Sequence, residues 1–220
     1  MEKKTALIVG VTGLVGNELL RILLKSEKYK EVIALGRRTI NVSHPKLTEI
    51  LVDFEKLGDY ASSFIADDIF CCLGTTIKKA KTKEAMYQVD VEYPLMIAKL
   101  AHTSGAKQFL VISALNANPQ SSLFYSKMKG ELEQKLAEIS YEAISILRPS
   151  LLLGERDEFR LGERLAGVML KMIPFLFKGP LKKYKAIYGK DVALAMYAIA
   201  QLNKRGVAVY TSEQLDLLSK

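Results

Sequence analysis

Short apolar segments alternate with helical patterns along most of this 220-residue sequence, and this alternation restricts the fold more than any other feature. Apolar residues recur at helical spacing between the segments, as they do between Leu14 and Leu24. Uniformly apolar strands joined by helices are typical of a parallel sheet covered on both faces. We therefore predict an α/β fold, a Rossmann-type doubly wound parallel sheet. Its expected strands are Ala6–Val9, Val32–Leu35, Glu49–Val52, Ile69–Leu73, Phe109–Ile112 and Ile144–Leu147.

The pattern becomes less regular after Pro149. Helices are expected near 160–173 and 191–202, with a basic loop between them and a last strand at Val207–Tyr210. No linker-like or low-complexity stretch divides the chain. The prediction is one domain over residues 1–220, in which residues 150–220 form a small elaboration on the substrate side.

A glycine-rich turn joins the first strand to the first helix. It reads Gly-Val-Thr-Gly-Leu-Val-Gly over residues 10–16. Glycine at these positions permits a tight turn, close approach of the backbone to a phosphate, and close packing of helix on strand. The free N–H groups and positive dipole of the helix N-terminus attract a pyrophosphate. The predicted dinucleotide contacts here are Gly10, Thr12, Gly13, Leu14, Val15 and Gly16.

The end of the second strand indicates which dinucleotide binds. NAD-binding domains of this kind usually place a carboxylate about 20 residues beyond the glycines. This chain has Arg37 and Arg38 there instead. The planar guanidinium fork suits a 2′-phosphate, so NADP(H) is the predicted cofactor. Asp53 and Phe54, after the third strand, are placed to contact the adenine.

A candidate catalytic group follows the fifth strand. Tyr125 and Lys129 are four residues apart on a predicted helix and therefore share a face. The ammonium would stabilise a phenolate, which prepares the tyrosine for proton transfer during hydride transfer. Ser113 ends the fifth strand and would orient a substrate carbonyl.

Composition narrows the class of protein. Lys and Arg outnumber Asp and Glu by 32 to 24, a net charge of +8, which favours anionic partners. We expect no nucleic acid partner, because no nucleic-acid motif is present, and no membrane insertion, because no apolar stretch is long enough. Two adjacent cysteines and two isolated histidines predict free buried thiols and no metal site. The expected location is the cytoplasm.

These motifs resemble the short-chain dehydrogenase/reductase superfamily. The stretch Phe-Cys-Cys-Leu-Gly-Thr-Thr at 70–76, Tyr-Ser-Lys-Met-Lys-Gly-Glu at 125–131 and Leu-Arg-Pro at 147–149 are similar to its atypical branch of Tat-interacting-protein-like oxidoreductases. The resemblance implies NADPH binding and catalytic positions for Ser113, Tyr125 and Lys129. It also implies cofactor contacts from Arg37, Lys129, Pro149 and the loop Cys72, Leu73, Gly74 and Thr75. The usual active-site asparagine has no counterpart, and Asp90 lies in the helix that would carry it.

Three functions follow from these features. The first is an NADPH-dependent reductase of a small carbonyl compound. The second is an NADP(H)-sensing regulatory protein with little turnover, and the third is an epimerase-like enzyme that uses the nicotinamide transiently. The basic apolar segment 165–185 fits a packing element, a substrate lid or subunit interface, or a membrane-surface contact. The oligomeric state stays open, with a homodimer as one option.

Overall fold

The computed structural model describes residues 3–154, 185–202 and 204–220. Its strands are β1 (Lys4–Val9), β2 (Tyr29–Gly36), β3 (Leu47–Leu51), β4 (Asp68–Cys71), β5 (Gln108–Ile112), β6 (Ala143–Arg148), β7 (Leu152–Leu153), β8 (Ile187–Tyr188) and β9 (Gly206–Thr211). Seven of them form one sheet in the order β3-β2-β1-β4-β5-β6-β9, and β7 pairs with β8 separately. Every neighbouring pair in the large sheet is parallel, which confirms the predicted doubly wound α/β fold.

Helices cover both faces of the sheet. They are α1 (Leu14–Lys25), α2 (Ile77–Ala80), α3 (Lys83–Tyr87), α4 (Tyr93–Thr103), α5 (Phe124–Ala137), α6 (Gly189–Ala200) and α7 (Ser212–Leu218), with a 3-10 segment at Phe54–Phe64 and a π turn at Gln88–Glu92. The apolar faces of α4 and α5 pack on one side of the sheet. Those of α1 and α6 pack on the other. The carboxyl ends of the strands therefore meet at one open edge between two helical layers.

Some elements differ from expectation. The strand predicted at Val207–Tyr210 forms the edge strand of the large sheet beside β6, so the C-terminal part of the chain contributes to the sheet itself. The 3-10 segment after β3 and helix α7 were not predicted. Pro94 lies in the first turn of α4, where a missing backbone N–H is tolerated, and a π turn precedes the helix. The predicted helix 160–173 and all but the last residue of the segment 165–185 lie outside the described residues.

Candidate active site

The glycine-rich turn brings the start of α1 close over the ends of β1 and β4. Gly10 has a φ of +83°, and a Cβ there would lie 2.5 Å from the carbonyl oxygen of Cys72. A Cβ on Gly16 would lie 2.2 Å from the carbonyl oxygen of Gly10. Both contacts are with backbone atoms, so neither position accepts a larger residue without movement of the main chain. The turn has the closeness that a pyrophosphate-binding loop requires.

The other predicted residues of the turn have different environments. Gly13 is the N-cap of α1 and has no side chain, so no side chain caps the first N–H groups of the helix. Thr12 is exposed and Val15 is buried. Leu14 packs against the C-terminal part of the chain, because a Cβ on Gly154 or Gly189 would lie 2.4 or 2.5 Å from its side chain. The turn therefore contacts the C-terminal part of the chain as well as the sheet.

The residues predicted to bind the adenosine end follow β2 and β3. Arg37 and Arg38 are both exposed directly after β2. Asp53 is exposed and accepts a hydrogen bond from the next turn, while Phe54 is buried with its ring 5.2 Å from that of Tyr93. Burial raises the pKa of the Tyr93 phenol, and the charge of Arg37 acts against this shift. Arg37 therefore lies in the electrostatic neighbourhood of Tyr93, a residue that the sequence did not single out.

The loop after β4 is tied to Asp90. The backbone N–H of Thr75 donates to Asp90 Oδ2 over 2.8 Å. Cys72 and Leu73 are partly buried and Gly74 is exposed. A Cβ on Gly74 would meet Asp90 Oδ1 at 3.6 Å, an ordinary contact, so this glycine is not required by the space around it.

Asp90 also binds the predicted catalytic lysine. Lys129 Nζ lies 2.7 Å from Asp90 Oδ1, and the two side chains are only 3% and 2% exposed. Burial disfavours the ammonium, but the charge of Asp90 and its hydrogen bond to Lys129 outweigh this effect and raise the pKa of Lys129 above its usual value. Tyr125, one turn earlier on α5, is 44% exposed. The helix thus holds a buried cation beside a phenol that solvent reaches.

Ser113 lies in a second polar cluster. It is buried, and its hydroxyl donates to Glu133 Oε1. Arg148 binds the same carboxylate, with Nε 3.0 Å from Oε1 and 3.2 Å from Oε2. Glu133 is about two helical turns beyond Tyr125 on the same helix, α5. Pro149 is buried beside this cluster, and its carbonyl oxygen accepts from the N–H of Leu115.

Sequence reasoning did not assign roles to Asp90, Glu133 and Arg148. The spacing could have indicated Glu133 as a site residue, since it lies four residues after Lys129 on the same helix face. Arg148 stands in the Leu-Arg-Pro motif and Asp90 in the helix expected to carry an asparagine. None of these positions identifies its partner, because each contact joins elements that are distant in sequence.

The fold and this crevice define a nicotinamide-dinucleotide-binding Rossmann protein. The model of the NAD dependent epimerase/dehydratase family matches residues 6–211, and this chain belongs to that family. It is similar to Protein HTATIP2 of Rattus norvegicus, with 37% identity over 178 residues, 79% of this chain and 73% of the relative. It is also 31% identical over 218 residues to Protein FMP52, mitochondrial, of Eremothecium gossypii, which covers 97% of this chain and 96% of that protein. The resemblance to the Tat-interacting-protein-like branch is confirmed.

Solved structures agree on the fold. MoeE5 in complex with UDP-glucose and NAD superposes with a TM-score of 0.70 at 16% identity, over 98% of this chain and 80% of that one. UDP-glucose 4-epimerase of Thermotoga maritima with UDP-glucose gives 0.69 at 14% identity, over 98% and 81%. At this identity the likeness extends to the architecture alone.

The expected cytoplasmic location is wrong. The relatives from Eremothecium gossypii, Scheffersomyces stipitis and Coccidioides immitis are all named as mitochondrial proteins. The expectation was based on the lack of an apolar stretch long enough to span a bilayer and on cysteine usage, and neither identifies a compartment. Within the described ranges, no helix combines the length and apolarity needed to cross a bilayer.

Proposed function

We propose that this protein is an NADPH-dependent reductase of small carbonyl compounds. The observation that carries the proposal is the buried Lys129–Asp90 ion pair beside Tyr125. It fixes an ammonium one helical turn from an accessible phenol, at the carboxyl edge of a Rossmann sheet. Dinucleotides bind at this edge in such folds.

Each side chain then has a distinct task. Tyr125 gives its phenol proton to the carbonyl oxygen, and solvent later replaces that proton. Lys129 stabilises the phenolate that remains and reaches the ribose hydroxyls. Asp90 keeps Lys129 charged and in place. When bound, NADPH supplies the hydride that the carbonyl carbon receives, and the products are an alcohol and NADP⁺.

The described residues fit this cofactor. The glycine turn leaves the N–H groups of α1 free to face a pyrophosphate, and a side chain at Gly10 or Gly16 would fill that turn. Arg37 and Arg38 supply exposed guanidinium groups for a 2′-phosphate, so we propose NADP(H) over NAD(H). Asp53 and Phe54 would border the adenine, the loop from Cys72 to Thr75 the ribose, and Pro149 the nicotinamide.

The test is NADPH oxidation with a panel of aldehydes and ketones. Replacement of Tyr125 by Phe should abolish turnover and leave the NADPH-induced rise in melting temperature nearly unchanged, because the ring is kept and only the proton donor is lost. Tyr87→Phe is the matched control, since it removes a different phenol, whose hydroxyl donates to Glu131. Full turnover by Tyr125→Phe would refute the assignment.

A regulatory role is the second candidate. It is favoured by the pairing of Lys129 with Asp90, because an ammonium whose charge is balanced by a carboxylate stabilises a phenolate less strongly than an unpaired one. In that case NADP⁺ and NADPH would raise the melting temperature by different amounts, and no carbonyl compound would be reduced above background.

An epimerase-like reaction is the third candidate. The family description, epimerase/dehydratase, favours it. An enzyme that uses its nicotinamide transiently need not release it, so the cofactor would remain bound through purification. Loss of all nicotinamide on gel filtration would count against this reading.

A further inference from the structure

The Ser113 hydroxyl already donates its hydrogen bond to another residue of the protein. Ser113 is only 4% exposed, and its single proton is given to Glu133. The carboxylate also receives two hydrogen bonds from Arg148 Nε and a further one from Nη2. A hydroxyl that donates to a charged carboxylate makes a stronger hydrogen bond than one that donates to a neutral carbonyl.

The orientation of β5 accounts for this arrangement. Phe109 and Val111 both pack into the layer formed by α4 and α5, and Ser113 continues the same alternation. Glu133 is eight residues beyond Tyr125, about 12 Å along the helix axis. The serine hydroxyl is therefore bonded to α5 at a position about two turns from Tyr125, which lies at the start of the helix.

We propose that Glu133 and Arg148 hold Ser113 as an anchor between β5, α5 and β6, and that Ser113 does not donate to the substrate. The inference rests on the reductase proposed above. Of the Ser113–Tyr125 pair that the sequence nominated, Tyr125 alone then polarises the carbonyl. The next residue, Ala114, is partly exposed where the chain leaves β5, but it has no hydroxyl to offer.

This assignment defines the class of substrate. Loss of one hydrogen-bond donor to a developing oxyanion typically lowers kcat by about 100- to 1000-fold. A carbonyl group that is already electron-poor needs less help, because its substituents accept part of the negative charge. The preferred substrates are therefore quinones, α-dicarbonyl compounds and aldehydes on electron-withdrawing rings. An aldehyde or a dicarbonyl compound takes the hydride at its carbonyl carbon and the proton at the oxygen of the same carbonyl. A quinone takes the hydride at one oxygen of the conjugated system and the proton at the other, and both oxygens become hydroxyls.

The experiment uses NADPH-loaded protein and three aldehydes of similar shape: 4-methoxybenzaldehyde, benzaldehyde and 4-nitrobenzaldehyde. The enzyme variants are Ser113→Ala, Ser113→Thr and Ala114→Ser. If Ser113 is an anchor, Ser113→Ala lowers the melting temperature. It keeps kcat within about tenfold of the unaltered protein, a smaller loss than the roughly 100-fold expected when an oxyanion contact is removed. It also leaves the dependence of kcat on the ring substituent unchanged. Ser113→Thr keeps the hydroxyl and restores the melting temperature.

The variant Ala114→Ser leaves the Ser113 cluster intact and should raise kcat most for 4-methoxybenzaldehyde. A loss of roughly 100-fold or more in Ser113→Ala, with a steeper substituent dependence and an intact NADPH-induced melting shift, would overturn the proposal, since that is the signature of a lost oxyanion donor. No reduction of any aldehyde or of phenanthrenequinone by the unaltered protein, despite NADPH binding, would instead refute the reductase and the substrate class with it.

Discussion

Replacement of Asp90 by Asn tests the ion pair on which the candidate site depends. The substitution keeps the size of the side chain and an acceptor for the Thr75 N–H, but it removes the negative charge 2.7 Å from Lys129 Nζ. Coulomb attraction at this distance is about 6 kcal/mol for an effective dielectric constant of about 20. Removal of one partner of a buried pair typically costs about 3–5 kcal/mol, and the retained amide acceptor favours the lower end. For a chain of this size, a loss of about 3 kcal/mol corresponds to a fall in Tm of roughly 6–12 °C.

The loss should depend on pH with a definite sign. Asp90 raises the pKa of Lys129, so in the unaltered protein the stabilisation is complete below the ordinary lysine range and is lost only as pH rises through the raised value. In Asp90→Asn, burial is the dominant remaining influence and lowers the pKa of Lys129. The variant can then relieve the unpaired charge by losing the proton, so its deficit should shrink as pH is raised from 6 to 9.

The assay is urea unfolding at pH 6, 7.5 and 9, with Asp216→Asn as the matched control. Asp216 pairs with Lys220 at the surface, where such pairs are worth about 0–1 kcal/mol. The double variant Asp90→Asn/Lys129→Met should recover part of the loss, because it leaves no unpaired charge. A deficit below about 1 kcal/mol at pH 6, no larger than that of an exposed pair, or one that does not change with pH, would refute the reasoning.

Three further outcomes are expected. Gly16→Ala should abolish the NADPH-induced rise in melting temperature, because its Cβ would lie 2.2 Å from a backbone oxygen, whereas Gly58→Ala, with nothing within 4 Å, should not. Combined replacement of Arg37 and Arg38 by Ala should weaken NADPH binding about 10- to 100-fold, the scale of lost charge-assisted hydrogen bonds. Calorimetry should show NADH binding unchanged, and an equal loss of NADPH and NADH binding would contradict the 2′-phosphate argument. Burial raises the pKa of the Cys71 thiol to about 12, so iodoacetamide at pH 8 should not label it until the protein unfolds, as peptide mass spectrometry will show.

The architecture was accessible from the sequence because its signals are local. An apolar strand is recognised by its own residues, and α1 by the recurrence of apolar side chains at helical spacing. The glycine turn was also readable, since Gly10 and Gly16 are needed by contacts within one strand–turn–helix unit or with the adjacent strand end. The 3-10 segment Phe54–Phe64 was not predicted, because its backbone is irregular at Lys56 and Tyr60 and the segment therefore follows no single period.

The partners of the buried polar groups were decided by tertiary structure alone. Sequence spacing placed Lys129 beside Tyr125 but did not show that Asp90, 39 positions earlier, would neutralise it. It nominated Ser113 as a substrate contact, whereas the packing of β5 against α5 gives its hydroxyl to Glu133. The physical reason is that a periodic pattern specifies which face of an element is buried, whereas hydrogen bonds and charge pairs inside that face depend on which other element covers it. The sequence by itself therefore determined the fold and the edge of the sheet that holds the candidate site, and the tertiary structure decided which polar groups there are already engaged.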